Sequence, residues 1–250
     1  MSFWSGISVV MIVLDAEELV ADALASVPQE AEIIVADGGS EDRTVTIARK
    51  FGARVIAQNL AAIAEADGNF DVARNEAAEH AMREWIFFLD ADERITEELY
   101  SEIHALNAPG DAFELPRINL YWGKPVRLLG EDRQIRLVKK GRGRYEGTAL
   151  HQKLLVDGSV GQLGSPLLHL NLRGWADVSL RFRRCLPSES RHHAPVPTRR
   201  KAMALGCHMF RYYYFRSGAW KDGWRGILVS LIYSVYHGAA AWQARPSIDA

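Results

Sequence analysis

Continuous apolar runs alternate with segments of helical periodicity over the first ninety residues. Residues 7–14 form an apolar, β-branched run, which is typical of a strand covered on both faces. Residues 17–26 carry apolar side chains at helical spacing, and 32–36 form a second short strand. The next predicted elements are a helix over about 42–51, a strand over 54–57, a helix over 71–84 and a strand over 85–89. This alternation predicts an α/β fold with a parallel sheet and right-handed crossovers.

Acidic residues follow three of the predicted strands. Asp15, Asp37 and the pair Asp90 and Asp92 come directly after the first, second and fourth strands. Because ligands of open α/β sheets bind beyond the carboxyl ends of the strands, we expect these carboxylates at one polar crevice. Two carboxylates one residue apart repel each other, and a hard divalent cation that carries phosphate oxygens removes that repulsion.

The spacing of Asp90 and Asp92 has a second interpretation. An Asp at a strand end often caps a helix, and Glu93, Glu97 and Glu98 would suit the first turn of such a helix. Because three separate strands deliver acids to one edge, we favour the binding crevice. The chain lacks Gly-x-Gly-x-x-Gly and Gly-x-x-x-x-Gly-Lys, which argues against a dinucleotide site and against a P-loop.

Composition sets broad bounds on the protein. At 250 residues and 48% hydrophobic content, the chain can bury one substantial core, as a single large domain or as one domain with an appended segment. Two cysteines, Cys185 and Cys207, are too few for a disulfide scaffold. The first residues lack a basic region followed by a long apolar core. We therefore expect a reducing, cytoplasmic environment.

Charge is unevenly distributed, although the formal net charge is −1. Residues 1–131 hold 24 acidic and 10 basic side chains, whereas residues 170–225 hold 3 acidic and 12 basic ones. Tryptophans and tyrosines are interleaved with these later basic residues, a pattern that suits an anionic partner. Nucleic acid or an anionic membrane surface would fit the charge. Because no recognised nucleic-acid module accompanies it, we expect no nucleic-acid partner.

Residues 226–242 form an apolar stretch of 17 residues, at the lower limit for a bilayer span, which needs about 20. We predict a helix that lies on a membrane or against the catalytic domain. The basic residues before it suit an anionic leaflet; they are Arg199, Arg200, Lys201, Arg211 and Arg216. The alternative is an ordinary core helix with a solvated basic face.

A proline-rich segment precedes this basic stretch. Pro187, Pro195 and Pro197 lie among serines and histidines, a composition that predicts a loop. We expect this loop to divide the catalytic domain from the C-terminal segment, or to act as an acceptor lid.

Four motifs resemble, in order and spacing, the nucleotide-sugar half of family 2 glycosyltransferases with the GT-A fold. They are ISVVMIVLDAEELVADALASV, EIIVADGGSEDRT, VARNEAAEHA and WIFFLDADE. Later segments look like the branch of this family that builds lipopolysaccharide core; they are DRQIRLVKKGRGRYEG, LHQKLLVDG, PLLHL and KDGWRG. The resemblance implies a GT-A catalytic domain over 1–180, with a nucleotide-sugar half over 1–100 and an acceptor half over 101–180. We expect residues 181–250 to form a basic, aromatic, helical segment, whose composition favours association with a membrane.

The resemblance also implies roles for residues at the strand ends. Asp37 would accept a hydrogen bond from the base, typically uracil, and Arg74 would offer a forked donor to phosphate or sugar oxygens. The remaining predicted contacts to the nucleotide-sugar come from Leu14, Asp15, Glu17, Asp90 and Ala91. For Arg74 a surface salt bridge with Asp71 or Glu76 is the alternative.

By the same resemblance, Asp92 would ligate a Mg²⁺ or Mn²⁺ ion that bridges the donor diphosphate. Asp90 and His169 are further candidate metal ligands. A lone His is more often a structural residue, and this remains the alternative for His169.

Displacement at the anomeric carbon needs a general base, because a neutral sugar hydroxyl is a poor nucleophile. Many relatives have an acidic pair about forty residues after the metal motif, where this chain has Glu131 and Asp132. Asp132 is the first candidate, followed by Glu131 and Glu146. The alternative is that Glu131 and Asp132 pair with Arg133 or Arg136.

A second candidate position departs from the family pattern. Relatives in the lipopolysaccharide branch usually have a His-Glu pair where this chain has His151 and Gln152. An amide cannot accept a proton as a base at neutral pH. We therefore assign His151 and Gln152 to acceptor or diphosphate binding.

The resemblance favours one function over three others. The leading hypothesis is an inverting, metal-dependent transferase that moves a hexose from a nucleotide-sugar, first of all a UDP-sugar, to a glycan or glycolipid acceptor such as lipopolysaccharide core. Its expected location is the cytoplasmic face of the membrane, where an anionic surface would be a partner. The alternatives are a catalytically altered nucleotide-sugar-binding or scaffold protein and a sugar-phosphate nucleotidyltransferase. A nucleic-acid-binding role from the basic third is disfavoured.

Overall fold

The computed structural model describes residues 2–66, 69–107, 110–128, 132–148, 151–192 and 198–244. The strands of this part of the chain are β1 (Ile7–Val13), β2 (Glu32–Asp37), β3 (Arg54–Ala57), β4 (Trp85–Phe88), β5 (Glu93–Ile95), β6 (Ala112–Tyr121), β7 (Lys124–Pro125), β8 (Asp132–Lys139), β9 (Gly143–Thr148), β10 (His151–Val156), β11 (Val160–Gln162) and β12 (Leu167–Leu172). The helices are α1 (Glu17–Ala25), α2 (Thr44–Lys50), α3 (Leu60–Glu65), α4 (Asp71–Glu79), α5 (Glu97–His104), α6 (Trp175–Arg184), α7 (Leu186–His192), α8 (Arg199–Arg211) and α9 (Gly223–Gln243).

The chain divides into two compact units. The first comprises residues 1–118 and 133–169, and the second comprises residues 119–132 and 170–250. The domain boundary predicted near residue 180 stays a prediction.

The main sheet begins as a parallel sheet and continues with antiparallel pairing. Its strand order is β3-β2-β1-β4-β8-β6-β12-β5, with β7 and β11 also paired to β6. Strands β1, β2, β3 and β4 run parallel to one another, and β8 pairs antiparallel to β4. Because β1, β2 and β4 point the same way, their carboxyl ends meet at one edge. The α/β fold with an N-terminal parallel sheet is confirmed.

Alternation of side chains explains why β1 is apolar at every position except Ser8. Val9 and Met11 belong to one buried cluster, together with Phe87 of β4. Val10, between them, belongs to a second buried cluster, together with Phe88. Successive side chains of a strand point to opposite faces, so both faces of this part of the sheet are covered.

Two local predictions differ from the structure, and one helix has no counterpart among the predicted elements. The helix predicted over 71–84 ends at Glu79, and beyond its end the carbonyl oxygen of Ala81 accepts a hydrogen bond from Lys140 Nζ at 2.5 Å. Helix α3 was not predicted. The loop predicted around Pro187 is wrong for residues 186–192, which form α7, because proline is tolerated in the first turn of a helix. Pro195 and Pro197 lie outside the described residues.

Helix α9 includes the whole apolar stretch 226–242, so the predicted C-terminal helical segment is present. In the described part of the chain, no helix is long and apolar enough to cross a membrane. The N-terminal end of α9 packs tightly on its own unit. A Cβ atom placed on Gly226 would lie 1.8 Å from the backbone oxygen of Ala219, so only glycine fits there.

Replacing this glycine should therefore loosen the second unit. We expect Gly226→Ala to lower the free energy of unfolding by about 1–3 kcal/mol, the usual cost of overpacking, as measured by urea unfolding. Gly164→Ala is the matched control, because a Cβ there would meet only Glu102 Oε1, at 3.9 Å. Equal stability of the two variants would contradict the packing argument.

Candidate functional site

The loop after β1 is fastened to the loop after β2. Asp15 has a left-handed backbone, with φ of 47°. Its backbone N–H donates to Ser40 Oγ at 2.9 Å, and its Oδ1 accepts the backbone N–H of Glu41 at 2.9 Å. This reciprocal pair holds Asp15 in a conformation that non-glycine residues rarely adopt.

Glu17 extends the contact between these two loops. Glu17 Oε2 accepts the backbone N–H and the side-chain Nε–H of Arg43, both at 3.0 Å. The Arg43 hydrogen bonds lower the pKa of Glu17. In return, the Glu17 backbone N–H donates to Asp42 Oδ2 at 2.9 Å. The predicted nucleoside-binding loop at Asp15 and Glu17 is therefore held by hydrogen bonds within the protein, while Leu14 is exposed.

Asp37 ends β2 and shapes the turn that follows it. Its Oδ2 accepts the backbone N–H groups of Gly39 at 3.0 Å and Ser40 at 3.1 Å. Gly39 has φ of 92°, which glycine adopts without strain. Its Oδ1 accepts from Ser40 Oγ at 2.5 Å. A carboxylate has about four acceptor positions, so these three donors leave Asp37 about one position for a ligand.

Asp90, at the end of β4, lies between two arginines. Its Oδ1 accepts from Arg74 Nη2 at 3.0 Å, and its Oδ2 accepts from Arg136 Nη2 at 2.9 Å. Burial by itself would raise the pKa of Asp90, but the charges of Arg136 and Arg74 outweigh it and hold that pKa well below its usual range. The surface salt bridge considered for Arg74 with Asp71 or Glu76 is replaced by this partly buried pair.

Glu93 completes a buried charged cluster beneath Asp90. Its side chain is 0% exposed and accepts hydrogen bonds from Arg136 Nη2 and from the Asp90 backbone N–H. Arg117 Nη1 lies 3.4 Å from Glu93 Oε1. Burial raises the pKa of Glu93, and the charge of Arg136 opposes that rise. Arg136, considered from sequence as a partner of Glu131 or Asp132, thus pairs with Asp90 and Glu93.

The turn after β4 is not a helix cap. The residues after Asp92 form β5, and helix α5 starts later with Thr96 as its N-cap. Arg94 stabilises the turn, because its Nη1 donates to the carbonyl oxygens of Ala91 at 2.8 Å and Glu93 at 2.7 Å. The helix-capping interpretation of Asp90 and Asp92 is therefore wrong.

Asp92 faces a histidine from a distant part of the chain. His169 Nε2 lies 3.3 Å from Asp92 Oδ2, and the two side chains are 15% and 39% exposed. Antiparallel pairing of β12 with β5, which places His169 opposite Glu93, brings them together. No group of three or more His, Cys, Asp or Glu side chains in the described part of the chain could hold a metal ion. A cation at this pair would need oxygens from a ligand or from water.

Helix α4 carries a second contact besides Arg74. The Asn75 side chain donates to the Tyr145 carbonyl at 2.9 Å and accepts the Tyr145 backbone N–H at 2.8 Å. The Arg74 guanidinium lies 5.2 Å from the centre of the Tyr145 ring, which suits a cation–π contact. Asn75 thus fixes strand β9 beside the arginine that binds Asp90.

The residues predicted as general base or acceptor contacts lie in different surroundings. Asp132 Oδ2 accepts from Asn119 Nδ2 at 3.0 Å, and Glu146 is exposed on β9. His151 and Gln152 pair through their backbones with Thr148 and Gly147 in the β9–β10 hairpin. Glu131 lies outside the described residues. The roles predicted for these residues stay predictions.

A cavity of about 600 Å³ opens beside Asp90. The charged residues that line it are Arg74, Asp90, Glu114, Arg117, Arg133, Arg136 and Lys153. Cations therefore outnumber carboxylates among the described lining residues, which suits an anionic ligand.

Sequence reasoning missed the residues that support the site. Glu93 was considered only as a helix-capping acid, and Arg94, Asn75 and Arg117 were not singled out. Each acts on a partner that strand pairing or packing brings close. The family motifs contain only two of them, Asn75 in the third motif and Glu93 at the end of the fourth.

Comparisons with known proteins point to one family. The sequence model described as "Glycosyl transferase family 2" matches residues 8–150, more than half of the chain. The lipopolysaccharide core biosynthesis glycosyltransferase LpsC of Rhizobium meliloti (strain 1021) is 24% identical over 262 residues, which cover 97% of this chain and 96% of that protein. A TPR repeat-containing protein of Synechococcus elongatus is 40% identical over 100 residues, 40% of this chain. The chain spans only 23% of the length of that relative.

Two solved structures show more distant likeness. Residues 1–349 of S. aureus TarS align with a TM-score of 0.47 and 14% identity, covering 92% of this chain and 80% of that one. Glucosyl-3-phosphoglycerate synthase from Mycobacterium tuberculosis, in complex with Mn²⁺, UDP and glucosyl-3-phosphoglycerate, aligns with a TM-score of 0.44 and 17% identity. That match covers 71% of this chain and 76% of that one.

Removing the central arginine should destabilise the first unit. Arg136→Met leaves Asp90 and Glu93 without their shared partner, and breaking a buried pair costs about 3–5 kcal/mol. The matched control is Arg43→Met, which breaks the surface pair with Glu17 and should cost about 0–1 kcal/mol. Urea unfolding of both variants measures the difference, and similar losses would contradict the importance of the buried cluster.

Proposed function

The chain belongs to glycosyl transferase family 2, and on this premise we propose that it transfers a hexose from a nucleotide-sugar to a hydroxyl group of a glycan or glycolipid. The observation that carries the proposal is the arrangement after β4. Asp90 is held by two arginines, while Asp92 is accessible and faces His169. One acid is thus fixed by protein cations, and the other is available to a ligand.

The pair Asp92 and His169 suits a divalent cation that arrives with the donor. Their facing atoms are 3.3 Å apart, close enough for both to reach one ion. Mg²⁺ sites typically use one or two carboxylates together with substrate phosphates, and Mn²⁺ accepts the same oxygen ligands. When bound, the ion would neutralise charge on the leaving diphosphate. We assign Asp92 and His169 as its protein ligands.

Asp90 has a different proposed task. Both of its carboxylate oxygens already accept hydrogen bonds from Arg74 and Arg136, so we favour donor contacts over metal ligation. The hydrogen bond from Arg74 Nη2 to Asp90 Oδ1 also holds the Arg74 guanidinium in place. Arg74 would offer a forked donor to phosphate or sugar oxygens.

The loops after β1 and β2 are the proposed nucleoside site. Asp37 keeps acceptor capacity for the N–H of a base such as uracil, and the fastened loop at Leu14, Asp15 and Glu17 provides a preformed edge. Such preorganisation reduces the entropy that is lost on binding. A UDP-sugar is therefore the donor that we propose.

The chemical step needs a group that takes the proton of the acceptor hydroxyl. Asp132 is our first candidate, with Glu131 and Glu146 behind it, because a carboxylate can act as a base where the amide of Gln152 cannot. We propose direct displacement, which inverts the anomeric carbon. Inversion is taken from the family resemblance.

The acceptor proposal rests on the near full-length match to LpsC, whose name describes lipopolysaccharide core biosynthesis. A glycan or glycolipid of this kind is our proposed acceptor. The predicted membrane-surface partner is also a proposal, and it depends on the second unit.

The second candidate function is a catalytically altered protein that binds nucleotide-sugars. Gln152 supports it, because by the resemblance relatives usually have Glu at this position.

Loss of either proposed metal ligand should disable the donor site. We expect Asp92→Asn and His169→Gln to slow Mn²⁺-dependent hydrolysis of UDP-hexoses about 100-fold, a loss of about 3 kcal/mol in transition-state stabilisation. Calorimetry of UDP binding with and without Mn²⁺ provides a readout that needs no turnover. Asp157→Asn is the matched control, since this carboxylate is 88% exposed. Metal-independent turnover that both ligand variants retain would rule out the proposed site.

Replacing the base should separate transfer from donor binding. Asp132→Asn should slow transfer to core oligosaccharides by about 10²- to 10⁴-fold and leave the affinity for UDP unchanged. Glu146→Gln is the comparison, and a larger effect there would move the assignment to Glu146. If wild type transfers nothing and Gln152→Glu does, the altered-protein hypothesis replaces ours.

A further inference from the structure

The solvent-facing side of α9 is apolar along its whole length. Its exposed large side chains are Trp224, Ile227, Leu231, Val235 and Trp242. Their spacing of three, four or seven residues places them on one face of the helix. The opposite face, with Val229, Ile232 and Tyr233, packs in the core of the second unit. A surface helix of a water-exposed protein normally has a polar outer face, so this outer face calls for a partner.

A groove runs between this face and α8. It encloses about 750 Å³, within the range of about 300–1,000 Å³ that is typical of ligand pockets. Glycines let the two helices approach closely. A Cβ on Gly206 would lie 3.2 Å from the backbone oxygen of Ser234, and a Cβ on Gly238 would lie 3.2 Å from that of Ala202. Met203, Phe210 and Leu231 provide apolar walls.

The charges at this groove have one sign. Arg199 and Arg211 are among its lining residues, and neither α8 nor α9 contains an acidic residue. Arg200 and Lys201 are exposed on the first turn of α8. The Arg199 guanidinium lies 5.5 Å from the centre of the Trp242 ring, and the Arg225 guanidinium lies 4.5 Å from that of Trp224. Both guanidinium groups therefore lie within cation–π distance of a tryptophan ring, and the Arg199 side chain is exposed at the surface.

We propose that the outer face of α9 and the groove beside α8 insert into the surface of an anionic lipid bilayer. Acyl chains would occupy the groove, and Arg199 and Arg211 would contact lipid phosphates. Tryptophans and arginines at the ends of an apolar face are the anchors that membrane interfaces favour. All these residues belong to the second unit, so the inference does not depend on the proposed sugar transfer.

Charge argues against a second copy of this chain as the occupant. A symmetric dimer would bring the same patch together from both protomers. The arginines of one groove would then face the arginines of the other, with no carboxylate from α8 or α9 to pair with them. An anionic lipid surface supplies the opposite charge.

Vesicle binding of the full-length protein tests the proposal. The probes are vesicles of phosphatidylcholine and phosphatidylglycerol in equal parts, and vesicles of phosphatidylcholine alone. We expect co-sedimentation with the first and much weaker binding to the second. Val235→Glu, at a side chain that is 60% exposed, should weaken binding at least tenfold. Met82→Glu is the matched control, because Met82 is 72% exposed in the first unit, and it should bind like wild type.

A second pair of variants tests the charges. Arg211→Gln should weaken binding to the anionic vesicles about fivefold, the equivalent of about 1 kcal/mol for one basic residue near an anionic surface. Arg49→Gln, an exposed change on α2, should leave binding unchanged. Urea unfolding of every variant shows that it remains folded, and this control keeps the test separate from sugar transfer.

Three outcomes would overturn the proposal. The first is a wild-type protein that ignores anionic vesicles at low salt. The second is binding that Val235→Glu and Met82→Glu weaken equally. The third is a dimer in solution that Val235→Glu converts to monomer, which would make a second copy of the chain the occupant of the groove.

Discussion

The candidate site depends on one buried arginine. Arg136 comes from β8, which runs antiparallel beside β4, and its guanidinium joins Asp90 to Glu93. Three carboxylates within four residues, at positions 90, 92 and 93, would otherwise repel one another in a partly buried turn. With Arg74 and Arg117 at its sides, this cation allows Asp90 and Glu93 to be satisfied inside the protein. Asp92 is then the acid of this turn that remains accessible beside His169.

The rest of the sheet edge is organised around that turn. The loops after β1 and β2 bind each other, because Asp15 and Glu17 form hydrogen bonds with residues 40–43, and these bonds hold the proposed nucleoside site. Helix α4 contacts both the turn after β4 and strand β9, because Arg74 binds Asp90 while Asn75 binds Tyr145 of β9. Preorganised donors and acceptors of this kind are what a transferase needs to hold a diphosphate leaving group.

The second unit uses its arginines differently. In the first unit Arg136 neutralises Asp90 and the buried Glu93, whereas Arg199 of α8 and Arg225 of α9 lie over tryptophan rings. The same residue type thus supports a polar site in one unit and an apolar surface in the other. The uneven charge along the sequence reflects this division, since the acids that arginine pairs with are concentrated before residue 131.

The alternation of apolar runs and helical segments determined the α/β class, the parallel strands β1, β2 and β4, and the acids at their ends. These features depend on residues close to one another in the sequence, so the periodicity of apolar residues is enough to predict them. Family motifs added candidate roles, including that of His169. Only the tertiary structure decided which charges meet. Arg136 reaches Asp90 across 46 positions, and His169 reaches Asp92 across 77 positions. Such pairs follow from strand order and antiparallel register, which no local pattern encodes.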